Sequence, residues 1–292
     1  MSAPSDALPA AGLWHRLWRQ RRARIALMVL ATLALLALLA PVIAPYEPTA
    51  QRDIIGMKSQ PPSLAHPFGT DQFSRDVLSR MLHGARISLS VAVLAVLLSA
   101  TVGTAYGAIA GYRGGRLDAV MMRLLDGLLA IPRVLLLLGI LGVWPMVSLP
   151  VLILLLGGTG WFGVSRLVRA EVMAVARRDH VTAARALGAP DHRLLLRHIL
   201  PNAITPVLVA AALGVGGVVV LEAGLSYLGV GVRPPHASWG NIIQDGSTDL
   251  YLRWWMSLFP GLAIVITVLA CNVVADALRD AADPRHLPRA ND

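Results

Sequence analysis

Charged side chains are scarce in this sequence. They make up 15% of its 292 residues, whereas a soluble globular domain carries roughly 25%. Hydrophobic residues reach 55%, and the mean hydropathy is +0.62. This composition excludes an ordinary soluble domain and indicates a polytopic membrane protein.

Cysteine and lysine are each represented by a single residue. Cys271 lies in an apolar run, so no disulfide can form within the chain and a packing role is expected. Lys58 follows Met57, whereas a phosphate-binding loop requires glycine immediately before its lysine. The histidines show no tight metal-ligand spacing. We therefore predict no ATP hydrolysis, no cofactor and no metal site in this chain.

Positive charge comes almost entirely from arginine, and the net charge is +9. In a soluble protein this excess would suggest nucleic acid as a partner. In a membrane protein it marks cytoplasmic loops and contacts with anionic lipid headgroups. We therefore expect membrane lipids, and not nucleic acid, as partners of these arginines.

Six membrane spans are predicted. A helix rises about 1.5 Å per residue, so about 20 apolar residues cross the hydrocarbon core of a bilayer. The uncharged stretch 134–165 is too long for one ordinary span, and Pro145 and Pro150 favour a turn within it. The predicted spans are 25–44, 87–112, 127–145, 149–167, 199–221 and 254–275.

The arginine distribution favours this even number of spans. With a cytoplasmic N-terminus, 18 arginines fall in cytoplasmic segments and 7 basic residues in external ones, as the positive-inside rule requires. The predicted segments are a cytoplasmic N-terminal segment (1–24), a first transmembrane helix (25–45), a periplasmic amphipathic segment (46–86), a five-helix core (87–278) with a cytoplasmic loop at 169–202, and a cytoplasmic tail (279–292).

The cytoplasmic loop contains the polar stretch HVTAARALGAPDHRLLLRHILPN. Val181, Ala184 and Leu187 recur every three residues, which predicts a short amphipathic helix with a narrow apolar face. Gly188 suits the end of that helix, and a second helix is expected to follow and to stop at Pro201. Two roles are open: a helix that lies on the inner leaflet, or a surface that docks a partner.

Polar groups at membrane depth are costly and often functional. Glu222 interrupts the fifth span, where it either lines a passage for a positively charged group or pairs with a neighbouring subunit. Asp118 and Asp126 are expected to pair with Arg116 or Arg123.

Two apolar patterns concern packing. Gly103, Gly107 and Gly111 recur every four residues in the second span, which predicts close helix packing. Val77 and Met81 belong to an apolar face that is predicted to lie along the outer membrane surface.

The segment TAARALG, followed at a fixed distance by Leu200 and Pro201, resembles the cytoplasmic loop of ABC importer permeases. Thr182 stands where that family has glutamate, and His198 where it has isoleucine. Further blocks resemble, in order and spacing, the second, C-type subunit of the dipeptide, oligopeptide and nickel permease family. They are HPFGTDQFSRDVLSRMLHGARISL (66–89), AGYRGGRLDAVMMRLLDGLLAIP (110–132), RHILPN (197–202), LSYLGVGVRPPHASWG (225–240) and LRDAADPR (278–285).

The resemblance implies an all-α permease with six transmembrane helices and a cytoplasmic coupling helix between spans four and five, in a bacterial inner membrane with both termini cytoplasmic. It implies alternating-access import of di- or oligopeptides or a related solute. The implied partners are a homologous B-type permease subunit, two ATP-binding subunits that hold ATP and magnesium, and a periplasmic or lipid-anchored substrate-binding protein. Residues carried over for coupling to the ATPase are Asp179, Thr182, Ala183, Ala184, Arg185 and Gly188, and those for contact with the binding protein are Asp71, Arg75 and Trp239.

The alternative is a stand-alone channel or secondary transporter, with the loop helix on the membrane surface. An inverted repeat or several paired intramembrane charges would favour it, and the sequence shows neither clearly. An export or assembly scaffold is a third interpretation, and it would not depend on a binding protein. For the outer segments, the alternative is an interfacial scaffold without a partner of its own.

Overall fold

The computed structural model describes residues 10–51, 53–144 and 147–282. Regular secondary structure in these ranges is helical, and the one extended pairing is an isolated bridge between Thr70 and Asp76. Predictions that concern residues 1–9, Arg52, Pro145 and 283–292 lie outside this part of the chain.

The α-helices follow one another with short connections, except for two longer stretches. The helices are α1 (Ala10–Arg19), α2 (Arg21–Ile43), α3 (Val77–Arg113), α4 (Gly115–Leu129), α5 (Arg133–Val143), α6 (Leu149–Val175), α7 (Asp179–Ala186), α8 (Asp191–Arg193), α9 (Leu200–Tyr227), α10 (Trp239–Gly246) and α11 (Trp255–Ala282). The longer stretches are 44–76 and 228–254, the second of which includes α10. We call these two stretches the outer segments. A π-helical turn at Leu194–Ile199 joins α8 to α9.

Five helical segments are long and apolar enough to cross a membrane, and the bent pair of α4 and α5 raises the number to six if it counts as one span. The five are α2, α3, α6, the continuous rod from α8 to α9, and α11. Many of their large apolar side chains are exposed, as expected where lipid or another subunit replaces water. The prediction of an all-α, multi-pass membrane protein is confirmed.

Both ends of the described chain lie on the same side of the bundle. Leu17 of α1 shares a small buried cluster with Ala277 of α11, and Arg22 forms an ion pair with Asp280. An odd number of crossings would separate the two ends. The bent pair therefore has to supply one crossing, which makes six.

The third span is not the single straight helix predicted at 127–145. The axes of α4 and α5 differ by 72°. Pro132 precedes α5, and its ring disfavours helical backbone at Ile131 and removes one N–H donor. With 11 residues, α5 is about 16 Å long, roughly half the thickness of the hydrocarbon core.

Helix α6 continues to Val175, past the predicted end of the span at 167, and two of its arginines pair with aspartates of α4. Arg169 forms a bidentate pair with Asp118, with both N–O distances at 2.5 Å. Arg166 pairs with Asp126. The sequence predicted ion pairs with Arg116 or Arg123, which lie on α4 together with the two aspartates. Both aspartates instead pair with arginines of α6.

The predicted glycine stripe of α3 lies against α6, and the two helices run parallel. A Cβ on Gly107 would lie 2.4 Å from the carbonyl oxygen of Ser165, and one on Gly103 would lie 2.7 Å from Cβ of Val164. Gly111 makes a similarly close approach to Arg169. The prediction of close packing is confirmed, because only a residue without a side chain fits at these positions.

The predicted amphipathic segment 46–86 divides into two parts. Its described residues up to 76 form turns, and α3 then begins at Val77. Asp76 caps α3 by accepting a 2.7 Å hydrogen bond from the backbone N–H of Ser79. Val77 and Met81 are buried in the main core, so they do not lie along the outer membrane surface.

Candidate functional site

Helix α7 stands at one end of the bundle, between the end of α6 and the start of α8. Asp179 lies in its first turn and Arg185 in its last, where each charge complements the helix dipole. Val181 is fully buried, in one cluster with Val175 and Leu194. This anchor attaches α7 to α6 and to the rod of α8 and α9.

Gly188 terminates α7, as predicted. Its φ is +82°, a left-handed conformation that glycine adopts at least cost. The backbone N–H of Ala189 donates to the carbonyl oxygen of Ala184 at 3.1 Å, and that of Gly188 donates to Arg185 at 3.0 Å. These two bonds are the Schellman motif.

Most residues assigned to coupling are uncovered in the described chain. Asp179, Thr182, Ala183, Arg185 and Gly188 are exposed, and Ala184 is half-buried. The periodicity predicted that Leu187 shares the apolar face of Val181, and this prediction is wrong. Leu187 is 88% exposed, because it is the C-cap residue and its ψ of 5° has left the helical path. The result is a surface of mostly small side chains that also carries the carboxylate of Asp179, the guanidinium of Arg185 and the apolar side chain of Leu187.

The second helix of the loop does not stop at Pro201. The π-helical turn carries α8 directly into α9. In that turn the N–H of Leu200 donates to the carbonyl oxygen of Leu195. The wider turn accommodates the missing N–H of Pro201 without a break, so the loop surface and the fifth span form one rod.

Tyr112 connects this surface to α3. Its hydroxyl donates to a carboxylate oxygen of Asp191 at 2.6 Å, and the Arg185 guanidinium also interacts with that hydroxyl. Sequence reasoning missed this contact, because nothing in the local pattern connects the end of α3 with the start of α8. The end of α3 is thereby joined to the end of α7.

Glu222 is fully buried in α9 and binds residues of its own chain. Ser88 donates to one carboxylate oxygen at 2.8 Å, and Ser226 donates to the other at 2.6 Å. The same hydroxyls accept the backbone N–H groups of Trp239 at 3.3 Å and Val232 at 2.9 Å. These contacts favour a packing role within the chain and leave no need for a charged partner on a neighbouring subunit.

A buried charge cluster ties the outer segment to α10. One Asp71 carboxylate oxygen accepts from Arg75 at 2.6 Å and from Arg80 at 2.5 Å. Asp245 accepts from the same two arginines at 3.0 and 2.8 Å. Two cations and two anions balance one another, so the cluster clamps residues that are more than 160 positions apart.

Trp239 is buried at the start of α10. Its indole N–H donates to the carbonyl oxygen of Met81 at 3.3 Å. Ser238 and Asn241 form a capping box there. A Cβ on Gly84 would lie 3.3 Å from Cα of Ser238, which shows how closely α3 approaches this turn.

Asp71, Arg75 and Trp239 are therefore buried in the described chain, where they hold the outer segments together. Their contact with a binding protein remains a prediction. Exposed apolar side chains occur in the same connecting segments, and sequence reasoning missed them because isolated loop residues form no pattern. They are Ile55, Leu64, Leu250, Tyr251 and Leu252.

No group of three metal-ligating side chains comes together within the described ranges. An apolar cleft of about 740 Å³ lies between α3 and α9, with Val96, Ala108 and Ile204 among its lining residues. Its chemistry suits an acyl chain or another helix, and it offers no charged group to a polar solute.

Comparison with known proteins connects this architecture to a family. Residues 103–287 match the family described as binding-protein-dependent transport system inner membrane component, and residues 9–62 match the N-terminal transmembrane domain of oligopeptide transport permease C. A Brucella suis protein whose name describes a peptide transport system permease is 43% identical over 272 residues, which cover 92% of this chain and 90% of the relative.

Two Bacillus subtilis proteins are similarly related. The dipeptide transport system permease protein DppC is 38% identical over 273 residues, 93% of this chain and 84% of its own length. The oligopeptide transport system permease protein OppC is 43% identical over 226 residues, 77% of this chain and 74% of its own. The family match at residues 103–287 covers more than half of the chain, so this chain belongs to the inner membrane components of binding-protein-dependent transport systems, as a permease subunit.

Proposed function

We propose that this chain is the C-type permease subunit of an ABC importer for di- or oligopeptides. The relatives described above carry peptide, dipeptide and oligopeptide names, and the match at the N-terminus is to an oligopeptide permease domain. Support for the coupling role comes chiefly from one observation: α7 is anchored by buried Val181 while most of its other side chains stay exposed.

The proposed partners supply what this chain lacks. Two ATP-binding subunits would dock on α7 and hold ATP and magnesium. A phosphate-binding loop needs a lysine. The single lysine of this chain, Lys58, is exposed in the connection between α2 and α3, well separated along the chain from α7. A homologous B-type permease subunit would complete the pathway, and a periplasmic or lipid-anchored binding protein would deliver the solute to the outer segments.

The proposed mechanism is alternating access. ATP binding closes the motor subunits and displaces α7, which moves the rod of α8 and α9. That rod has 37 residues and is about 55 Å long, so it reaches from α7 to the Glu222 contacts at the far end of α9. The motor can drive the change only through its different affinities for the two states.

The proposed orientation places both termini and α7 in the cytoplasm, in a bacterial inner membrane. The outer segment and α10 then face the periplasm. The excess of arginines on the α7 side supports this orientation.

Isolation of the chain from its native membrane in mild detergent tests the assembly. We expect a second permease, ATP-binding subunits and a binding protein to copurify. A chain that purifies alone and moves solute when reconstituted alone would replace the importer with a channel or secondary transporter.

Arg185→Glu tests the coupling surface. Reversal of this exposed charge is expected to lower the ATPase activity stimulated by loaded binding protein roughly tenfold, about 1.4 kcal/mol of coupling, with unchanged membrane insertion. Tyr112→Phe is the matched control, because it removes the internal contact of Arg185 and leaves the α7 surface intact. Unchanged stimulation in Arg185→Glu would exclude this arginine from coupling.

A further inference from the structure

Arg133 is the first residue of α5, and its guanidinium reaches the middle of α6. Nη2 donates to the carbonyl oxygen of Leu156 at 2.7 Å, and Nε donates to the hydroxyl of Thr159 at 3.1 Å. Both acceptors lie near the centre of the uncharged stretch 149–165 of α6, roughly 10–15 Å from its outer end. The cation is therefore located near the middle of the hydrocarbon core.

The contact between α3 and α6 independently indicates the same membrane depth for Arg133. Ser99 donates to the carbonyl oxygen of Gly157 at 2.9 Å. A Cβ on Gly160 would lie 2.4 Å from Oγ of Ser99 and 3.2 Å from Nη2 of Arg133. Ser99 precedes the end of α3 at Arg113 by about 20 Å of helix, so this polar group lies far from the charged end of the bundle.

No carboxylate pairs with Arg133 within the described ranges. The aspartates of the neighbouring α4 are occupied, Asp118 by Arg169 and Asp126 by Arg166. A guanidinium has five N–H donors, and the two hydrogen bonds to α6 use two of them. An arginine at this depth is costly and is associated with solute and ion pathways.

The break in the third span lies directly beside this half-buried arginine. The 72° bend between α4 and α5 interrupts the helix beside Arg133, about halfway through the membrane. Interrupted spans at the midplane are where many transporters build their solute sites. The spare donors of Arg133 thus coincide with an interruption in the bundle.

The geometry points to Arg133 as a binding residue of the transport pathway, which takes the carboxylate of the transported solute. This inference rests on the proposed function, since a peptide with a free C-terminus carries such a carboxylate. The planar guanidinium can hold both carboxylate oxygens. Thr159 and the carbonyl of Leu156 orient the cation and leave its remaining donors to the solute.

Equilibrium binding of tri-alanine and tri-alanine amide to the assembled complex in nanodiscs, without binding protein, tests this role. We expect the wild-type complex to bind the free acid at least tenfold more tightly than the amide. Arg133→Gln is expected to abolish that preference, and Arg133→Lys to retain part of it because the charge remains. Arg177→Gln, which removes an exposed arginine just beyond the charged end of α6, is the matched control and should retain the full preference.

Several results would overturn the assignment. The wild-type complex could bind neither peptide, it could bind both equally, or the preference could persist in Arg133→Gln. A persistent preference would make Arg133 a clamp on α6 or a contact for the second permease. ATP-dependent uptake by wild-type proteoliposomes is measured separately. Absent uptake would reject the proposed importer, whereas normal uptake without acid preference would reject only the role of Arg133.

Discussion

At the scale of single residues, Glu222 shows how a carboxylate is accommodated inside the bundle. Each of its oxygens accepts a serine hydroxyl, and each hydroxyl in turn accepts a backbone N–H from the segment around α10. The carboxylate is thus the centre of a hydrogen-bond network that reaches three elements. A buried network of this kind is stable only if every member keeps its partner.

Glu222→Ala is expected to lower the melting temperature of the purified complex strongly. The hydroxyls of Ser88 and Ser226 would lose their acceptors in an apolar environment, at a cost of about 1–3 kcal/mol each. Glu222→Gln keeps one carbonyl acceptor and should lose less stability, with unchanged uptake per assembled complex. Thermal unfolding followed by tryptophan fluorescence measures the first effect.

Glu171→Gln on α6 is the control, since this half-buried carboxylate lies outside the network. If Glu222→Gln assembled and melted normally but failed in uptake, Glu222 would belong to the pathway after all.

At the scale of helices, α3 and α6 approach each other through glycine at successive turns. The contact continues from Gly157 of α6, whose Cβ would lie 2.7 Å from a Leu98 side-chain carbon, to Gly111 of α3. Without water in the membrane, such close approach supplies the van der Waals contact that holds helices together. The pair forms the scaffold on which Arg133 and the α4 ion pairs are arranged.

Gly107→Ala is expected to reduce the amount of folded complex and its melting temperature. The added Cβ would meet the backbone oxygen of Ser165, which cannot rotate away, and overpacking of this kind costs about 1–3 kcal/mol. Gly163→Ala is the matched control, because a Cβ at Gly163 meets nothing within 4 Å and alanine favours helix. Equal melting temperatures for Gly107→Ala and wild type would contradict the packing described here.

At the scale of the whole molecule, two ends of the bundle have different chemistry. One end gathers α1, the end of α11 and the exposed surface of α7. The other is closed by the cluster of Asp71, Arg75, Arg80 and Asp245, which ties the outer segment to α10. The continuous rod of α8 and α9 connects them.

Cysteine labelling in a Cys271→Ala background tests this arrangement. Leu64→Cys and Tyr251→Cys should react with a membrane-impermeant maleimide in intact spheroplasts, because both positions are exposed on the outer segments. Arg19→Cys and Arg279→Cys should react only after permeabilisation. Labelling of only one of the latter pair in intact spheroplasts would contradict the packing of α1 against α11, and the reverse pattern for all four would invert the orientation.

The sequence by itself determined the class of the protein, the number of spans and the family. Long apolar runs need only local composition to be recognised, and the arginine bias set the parity without any knowledge of contacts. The glycine spacing in α3 and the stop at Gly188 were also predictable, because backbone conformation and the absence of a side chain act within one or two turns.

Tertiary structure alone decided the partners of polar groups. Glu222 binds Ser88, which is 134 positions away, and the aspartates of α4 form ion pairs with arginines of α6. The same long-range packing buries Asp71 and Trp239 and leaves Arg133 without a counter-charge in the described chain. Pro132 shows most clearly what the local sequence could not predict, since proline occurs in both broken and continuous spans. The π-helical turn absorbs Pro201, whereas the span bends at Pro132, and the difference lies in how neighbouring helices satisfy the freed backbone groups.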